Sequence, residues 1–366
     1  MEEYWYSESM AFSLQTPQEL RLERKKKAKR FVLTLSILVL ACLLLFALEL
    51  FTGVSNMSFS EAFLALFGQG TPSAIRIMQR IRLSRAIAAT LVGGGLGIAG
   101  LLMQTSLANP MASPGTLGVS NAAVLGANIA IILMSNDPVN GTTWSNPNPY
   151  GVAGIAFVCA IVSTVLVLAL GQIKRFSPTT IILVGIGLGA GLQAVTTLIQ
   201  YFAADNTLAS AVYWSFGDIG RVNLADNLLL LIVVAVSFVA FILLSHRYDS
   251  LLLGEDNARS LGVRVSLLRI LGLMLASFIT ATIVSLCGII GFVGIVAPHI
   301  CRRIVGNSHR YLIPTTLCVG VLLVAFSDFV GRLVSQGTSL PVGAVTALIG
   351  APFFIVLVFT KKEKVS

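Results

Sequence analysis

The sequence predicts an all-α, polytopic membrane protein with about ten transmembrane helices. Its composition is 55% hydrophobic and 11% charged, whereas soluble domains carry about 25% charged residues. Apolar stretches of roughly 20 residues recur, the length that crosses about 30 Å of hydrocarbon. They lack the strict alternation of lipid-facing barrel strands, so their backbone groups must be satisfied within helices.

The first predicted span follows a basic run. Seven of the ten residues 21–30 are Lys or Arg, and apolar residues follow at 31–51. A secretory signal would have a shorter apolar region and a small-residue cleavage site, so we predict an uncleaved span. Nine further spans are predicted at 84–105, 117–135, 151–172, 179–203, 224–245, 265–287, 289–305, 311–330 and 341–359. The seventh and eighth must be separated by a turn between Cys287 and Gly294.

An even number of spans places both termini on one side, and the basic N-terminal run and Lys-rich C-terminus indicate the cytoplasm. Three regions follow: a polar and basic cytoplasmic extension at 1–30, a ten-span domain at 31–360 and a basic cytoplasmic tail at 361–366. This topology puts 19 of the 25 Lys and Arg residues inside. The formal charge of +9 therefore indicates membrane topology and not nucleic-acid binding.

The six cations on the predicted outer side are Arg76, Arg80, Arg82, Arg85, Arg221 and Arg332. Four of them crowd the entrance to the second span. Anchoring to lipid phosphates is one explanation, and an acidic partner is the other. Arg332 lies four residues after Asp328, so the two can also pair on one helix face, and that pairing competes with a binding role for Arg332.

The sequence contains no signature of an enzyme. It has no GxxxxGK[ST] phosphate loop, no HExxH and no nucleophile elbow, and its five cysteines are scattered singly through apolar segments. We therefore expect no catalytic residues, no metal site and no cofactor bound by this chain. The chain is predicted to move a solute without catalysing chemistry itself.

The energy source is open at this point. Ion-driven secondary transporters usually carry ionisable groups near the bilayer midplane, but the middles of these spans are almost uncharged. Glu49 and Asp328 are expected toward the outer ends of spans one and nine, within reach of water or headgroups. Between spans six and seven, Gly254 and Gly262 bracket a predicted short surface helix, which is either a solvated connector or a contact for a cytosolic partner.

Four ordered segments carry a resemblance that covers nearly the whole chain from the first span onward. They are RIRLSRAIAATLVGGGLGIAGLLMQTSLANPMASPGTLGVSNAA (80–123), LGEDNARSLGV (253–263), GIIGFVGIVAPHICRRIVG (288–306) and LPVGAVTALIGAPFFIVLV (340–358). With them the chain resembles the permease family of binding-protein-dependent ABC importers for iron chelates and cobalamin. The resemblance implies a type II ABC importer permease-like bundle that translocates a ferric siderophore, haem or cobalamin. An ion-gradient-driven secondary transporter is the alternative.

The resemblance also implies partners. They are a second permease copy or a paralogue, two cytosolic ATPase subunits that use the ATP, an extracytoplasmic substrate-binding protein and membrane lipid, with no nucleic acid. In such a complex Arg82, Arg85 and Arg332 would receive acidic residues of the binding protein. The ATPase contact would be formed by Leu253, Gly254, Glu255, Ala258, Arg259, Leu261 and Gly262. Ser177, Pro178 and Thr179 match the candidate inner gate.

Overall fold

The computed structural model describes residues 17–53, 57–133, 148–174, 176–335 and 340–359, and this part of the chain is helical with short connections. The first sixteen residues and the tail at 361–366 lie outside the described residues, so their predicted roles stay predictions. The α-helices are α1 (Pro17–Phe51), α2 (Phe59–Leu66), α3 (Pro72–Ile75), α4 (Leu83–Ser106), α5 (Val119–Asn128), α6 (Pro149–Gln172), α7 (Pro178–Tyr201), α8 (Asp205–Ser215), α9 (Leu224–Leu251), α10 (Glu255–Ser260), α11 (Val265–Cys287), α12 (Val293–Val305), α13 (His309–Val334) and α14 (Val342–Phe359).

Each of the ten predicted spans coincides with one of these helices. Within the described residues, seven helices are long and apolar enough to cross a membrane. The spans predicted third, eighth and tenth coincide with the shorter helices α5, α12 and α14. The 13 residues of α12 extend about 20 Å at 1.5 Å per residue, which is less than the thickness of the hydrocarbon layer.

The first helix begins well before the predicted span. It runs unbroken from Pro17 through the basic residues, so the chain has no structural break at residue 30, where the predicted extension meets the predicted transmembrane domain. Lys and Arg have high helix propensity, and hydropathy reports where a helix enters lipid, not where it starts. The helices α2 and α8 were not predicted, because they are too short to give a span signal.

The predicted turn between spans seven and eight is confirmed. The helix α11 ends at Cys287, and α12 begins at Val293. Gly288 has φ 77° and Phe292 has φ 65°, so both lie in the left-handed region and redirect the chain. The chain thus crosses part of the bundle without forming a helix. The helix α12 starts beside the second half of α4, where Gly294 lies against Gly100.

The helix α4 forms the centre of the bundle. With α3 and the π-helical turns at Arg76–Arg82 it makes one continuous helix from Pro72 to Ser106, and 89% of the residues in its most apolar stretch are buried. The helices α13, α11, α12 and α9 all pack against it. The 24 residues of α4 extend about 36 Å, so Arg85 and Ser106 mark opposite ends of the bundle. We call these the Arg85 end and the Ser106 end.

Candidate functional site

Ionisable side chains from four segments meet at the Arg85 end, in what we call the arginine–carboxylate cluster (Glu49, Arg85, Asp218, Asp328 and Arg332). The guanidinium of Arg85 donates to Asp328 with Nε–Oδ1 and Nη2–Oδ1 distances of 3.0 and 2.7 Å. Arg332 Nε lies 3.0 Å from the other oxygen, Asp328 Oδ2. Asp218 lies farther out, with Oδ1 3.6 Å from Arg85 Nη2. Asp328 is therefore held between two arginines.

The two carboxylates expected near water are buried. Glu49 and Asp328 are each 1% exposed. The expectation was wrong because α1, α4 and α13 pack together at this end and cover both side chains. Asp328 has two close arginines, but the nearest cation to Glu49 is Arg332, with Nη2 3.9 Å from Oε1, and neither Glu49 oxygen has a hydrogen-bond partner among the described residues.

Two of the predicted docking arginines also hold the end of α1. Arg82 Nη1 donates to the Leu50 carbonyl at 3.3 Å. Arg332 Nη1 donates to the carbonyls of Glu49 and Thr52 at 3.1 and 3.3 Å. Carbonyls in the last turn of a helix have no intrahelical partner and carry the negative end of its dipole, so cationic donors stabilise them.

The structure thus brings Arg82, Arg85 and Arg332 together, as a shared docking site requires, but each already has an internal partner. Arg82 is 6% exposed, and the side chains of Arg85 and Arg332 are each 13% exposed. The pair between Asp328 and Arg332 that their spacing suggested is formed. On the preceding helical turns, Arg76 and Arg80 are exposed.

The predicted short surface helix is present at the Ser106 end as α10. Gly254 and Gly262 bracket it with φ angles of 98° and 81°, which side-chain-bearing residues rarely adopt. Ala258 is fully buried and seats the helix on the bundle, whereas Leu253 and Leu261 are 61% and 63% exposed. These two leucines flank α10 as an uncovered apolar surface.

Arg269, on the first turns of α11, touches both α10 and the residue that precedes the candidate gate. Its guanidinium pairs with Glu255 of α10 and donates from Nε to the Ser106 carbonyl at 2.8 Å. Its Nη1 donates to the Phe176 carbonyl at 2.6 Å, one residue before Ser177. Sequence reasoning counted Arg269 only as an inner positive charge. The sequence feature that could have identified Arg269 was the presence of a charged residue inside an apolar helix.

The candidate gate residues begin α7. Ser177 is the residue that precedes the helix, and Pro178 occupies its first turn, where a missing backbone N–H costs nothing. Ser177 and Pro178 are half-buried, and Thr179 is exposed. The structure places these residues at the Ser106 end, next to the carbonyl that Arg269 holds.

A second polar network at the Ser106 end was also missed. His309 Nδ1 lies 2.7 Å from Asp249 Oδ1, and its Nε2 lies 2.9 Å from Thr105 Oγ1. The residue types resemble a hydrolytic triad, but His309 is 1% exposed and the Thr105 hydroxyl also bonds the Leu101 carbonyl at 2.9 Å. We interpret the network as a structural contact that holds α4, α9 and α13 together.

Comparison with known proteins shows the family of this chain. The sequence profile of the FecCD transport family matches residues 39–360. The chain belongs to the FecCD transport family. The FecCD match begins within α1 and includes the other helices described above, and it confirms the permease resemblance that the four sequence segments indicated.

Curated FecCD-like relatives match over most of their length. The vitamin B12 import system permease protein BtuC of Vibrio vulnificus is 34% identical, and the match covers 90% of this chain and 94% of BtuC. The ferric enterobactin transport system permease protein FepD of Escherichia coli K12 is 33% identical, with 88% and 94% covered. A solved inward-facing structure, assigned to a metal-chelate type ABC transporter, superposes with a TM-score of 0.77 at 29% identity, covering 89% of this chain and 98% of that one. The predicted all-α permease bundle is thus confirmed.

Proposed function

We propose that this FecCD chain is the membrane-spanning subunit of an ABC importer that passes an iron chelate or a cobalamin from an extracytoplasmic binding protein into the cytoplasm. The observation that carries the proposal is the family match over residues 39–360. Relatives named for vitamin B12 and ferric enterobactin support the cargo class. The sequence has no phosphate loop, so separate ATPase subunits would supply the energy.

The assembly would contain this chain with a second copy or a paralogue, two ATPase subunits and the binding protein. Both termini would face the cytoplasm, which puts the Ser106 end inside and the Arg85 end outside. The distribution of Lys and Arg along the sequence supports this orientation. The region 31–360 would then be the transmembrane permease domain, with the basic segments 1–30 and 361–366 in the cytoplasm.

Reconstitution tests the proposal against the ion-driven alternative, which the buried and poorly paired Glu49 favours. The chain is assembled in liposomes with its cognate ATPase subunits and binding protein, and uptake of labelled ferric enterobactin and of cobalamin is measured. We expect uptake of at least one cargo that requires ATP and persists when an uncoupler removes the ion gradient. Accumulation by the chain alone, driven by a gradient, would overturn the proposal.

Docking of the binding protein would use Arg82, Arg85 and Arg332 at the Arg85 end. Arg85 and Arg332 already hold Asp328. On docking, the two arginines would either release Asp328 and bind acidic residues of the partner, or contact both at once. The exposed Arg76 and Arg80 lie on the same continuous helix and would attract an acidic surface over a longer distance.

Charge reversal at the docking site is expected to abolish uptake. In Arg82→Glu/Arg85→Glu, acidic residues of the binding protein would meet carboxylates, so its association with the permease should weaken by at least about tenfold. Copurification of the ATPase subunits, which contact the opposite end, should persist. Association is measured by surface plasmon resonance on the assembled complex.

Burial of both arginines means that loss of uptake alone could reflect a damaged fold. The decisive control is a binding protein in which the facing acidic residues are replaced with lysine, which should restore association with the reversed permease. Unchanged association of the native binding protein with the double variant would count against docking at these arginines.

Coupling would use the surface formed by Leu253, Gly254, Glu255, Ala258, Arg259, Leu261 and Gly262. The exposed leucines on either side of α10 support a protein contact there, since apolar side chains at the cytoplasmic face gain free energy when a partner covers them. Ser177, Pro178 and Thr179 would form the inner gate, and their position at the same end of the bundle supports that role.

A further inference from the structure

From the contacts at the Ser106 end we infer that Arg269 is a positioning residue that transmits movement of α10 to the inner gate. The inference rests on the proposed function, in which ATPase subunits move α10. Arg269 is 4% exposed, yet each of its three guanidinium nitrogens bonds a different segment: Nε bonds the end of α4, Nη1 the loop before α7 and Nη2 α10.

The chemistry of the guanidinium suits this role. It is planar, permanently charged and presents its donors in a fixed fork, so the three partners are held in one plane. A lysine ammonium is a point charge on a flexible stem and does not reproduce that fork. If one partner is displaced, either one of the three hydrogen bonds to the guanidinium breaks or the other two partners move as well.

The three partners differ in how freely they can move. The Ser106 carbonyl ends the central helix α4, whose packing fixes it. The α10 helix has only six residues between two glycines with positive φ, and the Glu255 side chain is 42% exposed. Arg269 thus has one rigid partner and one that an attached subunit can displace.

The third partner lies in a strained loop. Phe176 has φ 58°, which is uncommon for a residue with a bulky side chain, and its N–H bonds the Gly171 carbonyl at 2.9 Å. The bond from Arg269 to the Phe176 carbonyl helps to hold this conformation one residue before Ser177. When α10 moves and separates Glu255 from Arg269, the guanidinium loses its counter-charge. The hydrogen bond from Arg269 Nη1 to the Phe176 carbonyl is then altered.

The test uses the complete complex with its ATPase subunits and a Ser177→Cys reporter. Labelling by a membrane-impermeant maleimide is measured with and without a non-hydrolysable ATP analogue, and labelling of the parent chain with its five native cysteines is subtracted. With Arg269 present, we expect the nucleotide to change the labelling rate by at least about fivefold, the lower end of ordinary coupling factors. In Arg269→Lys the labelling rates with and without the nucleotide should be about equal. ATP hydrolysis should continue, while the amount of cargo transported per ATP drops about tenfold or more.

Two further variants separate coupling from folding. Glu255→Gln keeps both carbonyl contacts of Arg269 and removes the negative charge on α10 that pairs with it, so it should also lose the nucleotide response. Arg264→Lys makes the same substitution at an exposed arginine before α11 and should retain the response. If Arg269→Lys does not assemble, Glu255→Gln decides the question in a complex that still copurifies with the ATPase subunits.

The outcomes also separate this inference from the proposed function. A full nucleotide response in both Arg269→Lys and Glu255→Gln overturns the inference and leaves the importer intact. Failure of the chain with native Arg269 to bind ATPase subunits, or to respond to nucleotide at all, overturns the proposed function and the inference together.

Discussion

Replacing Asp328 with Asn is expected to lower the free energy of unfolding by about 3–5 kcal/mol, the usual cost of removing one partner of a buried ion pair. The variant keeps the shape of the side chain and removes its charge. Arg85 and Arg332 would then face each other across a neutral amide in a buried site, without the carboxylate that both contact at 3.0 Å or less. The measurement is the midpoint of thermal unfolding in detergent, which should fall by at least about 5 °C.

An exposed acid provides the control. Asp205 begins α8 at the surface, and Asp205→Asn should cost no more than about 1 kcal/mol, as expected for a charge at a helix N-terminus. A midpoint for Asp328→Asn that matches the control would mean that the arginine–carboxylate cluster does not stabilise the bundle.

Gly100→Ala is expected to disrupt the contact between α4 and α12. A Cβ atom at this position would lie 1.9 Å from the carbonyl oxygen and 2.3 Å from the Cα atom of Gly294. Both atoms belong to backbone, so no side chain can rotate away and the two helices must separate. Overpacking of this kind costs about 1–3 kcal/mol or more, which the better helix propensity of alanine, about 1 kcal/mol, offsets only in part.

Gly154→Ala is the matched control on α6, where a Cβ atom would meet nothing within 4 Å. It should leave the unfolding midpoint unchanged or raise it slightly. If both alanine variants unfold at the same temperature, close approach of α4 and α12 is not required for stability.

Hydropathy predicted the ten helical segments because length and apolar content are local properties of the chain. The turn after Cys287 and the helix between Gly254 and Gly262 were also predicted, since glycines mark positions where the backbone adopts a positive φ. Hydropathy did not give the start of α1 or the short helices α2 and α8, because basic or brief helices leave no apolar signal.

The candidate sites were predicted only in part. The pair between Asp328 and Arg332 could be foreseen, as the residues are four apart on one helix. Asp328 and Arg85 are separated by 243 positions, so their contact depends on tertiary packing that no local pattern encodes. The same holds for Arg269 and Ser106, which are 163 positions apart. Internal neutralisation of Arg85, one of the arginines proposed for docking, was therefore not apparent from the sequence.

The distance along the chain between Arg85 and Asp328 has a consequence for biosynthesis. A ribosome makes Arg85 long before the carboxylate that neutralises it, so the nascent second span enters the bilayer with an uncompensated cation near its end. Asp218, 3.6 Å from Arg85 Nη2, is made earlier, but the closer carboxylate of Asp328 arrives only with α13. The same helix brings Arg332, which secures the last turn of α1. Insertion can thus proceed span by span, but the mature packing of the early helices waits for the synthesis of a late one.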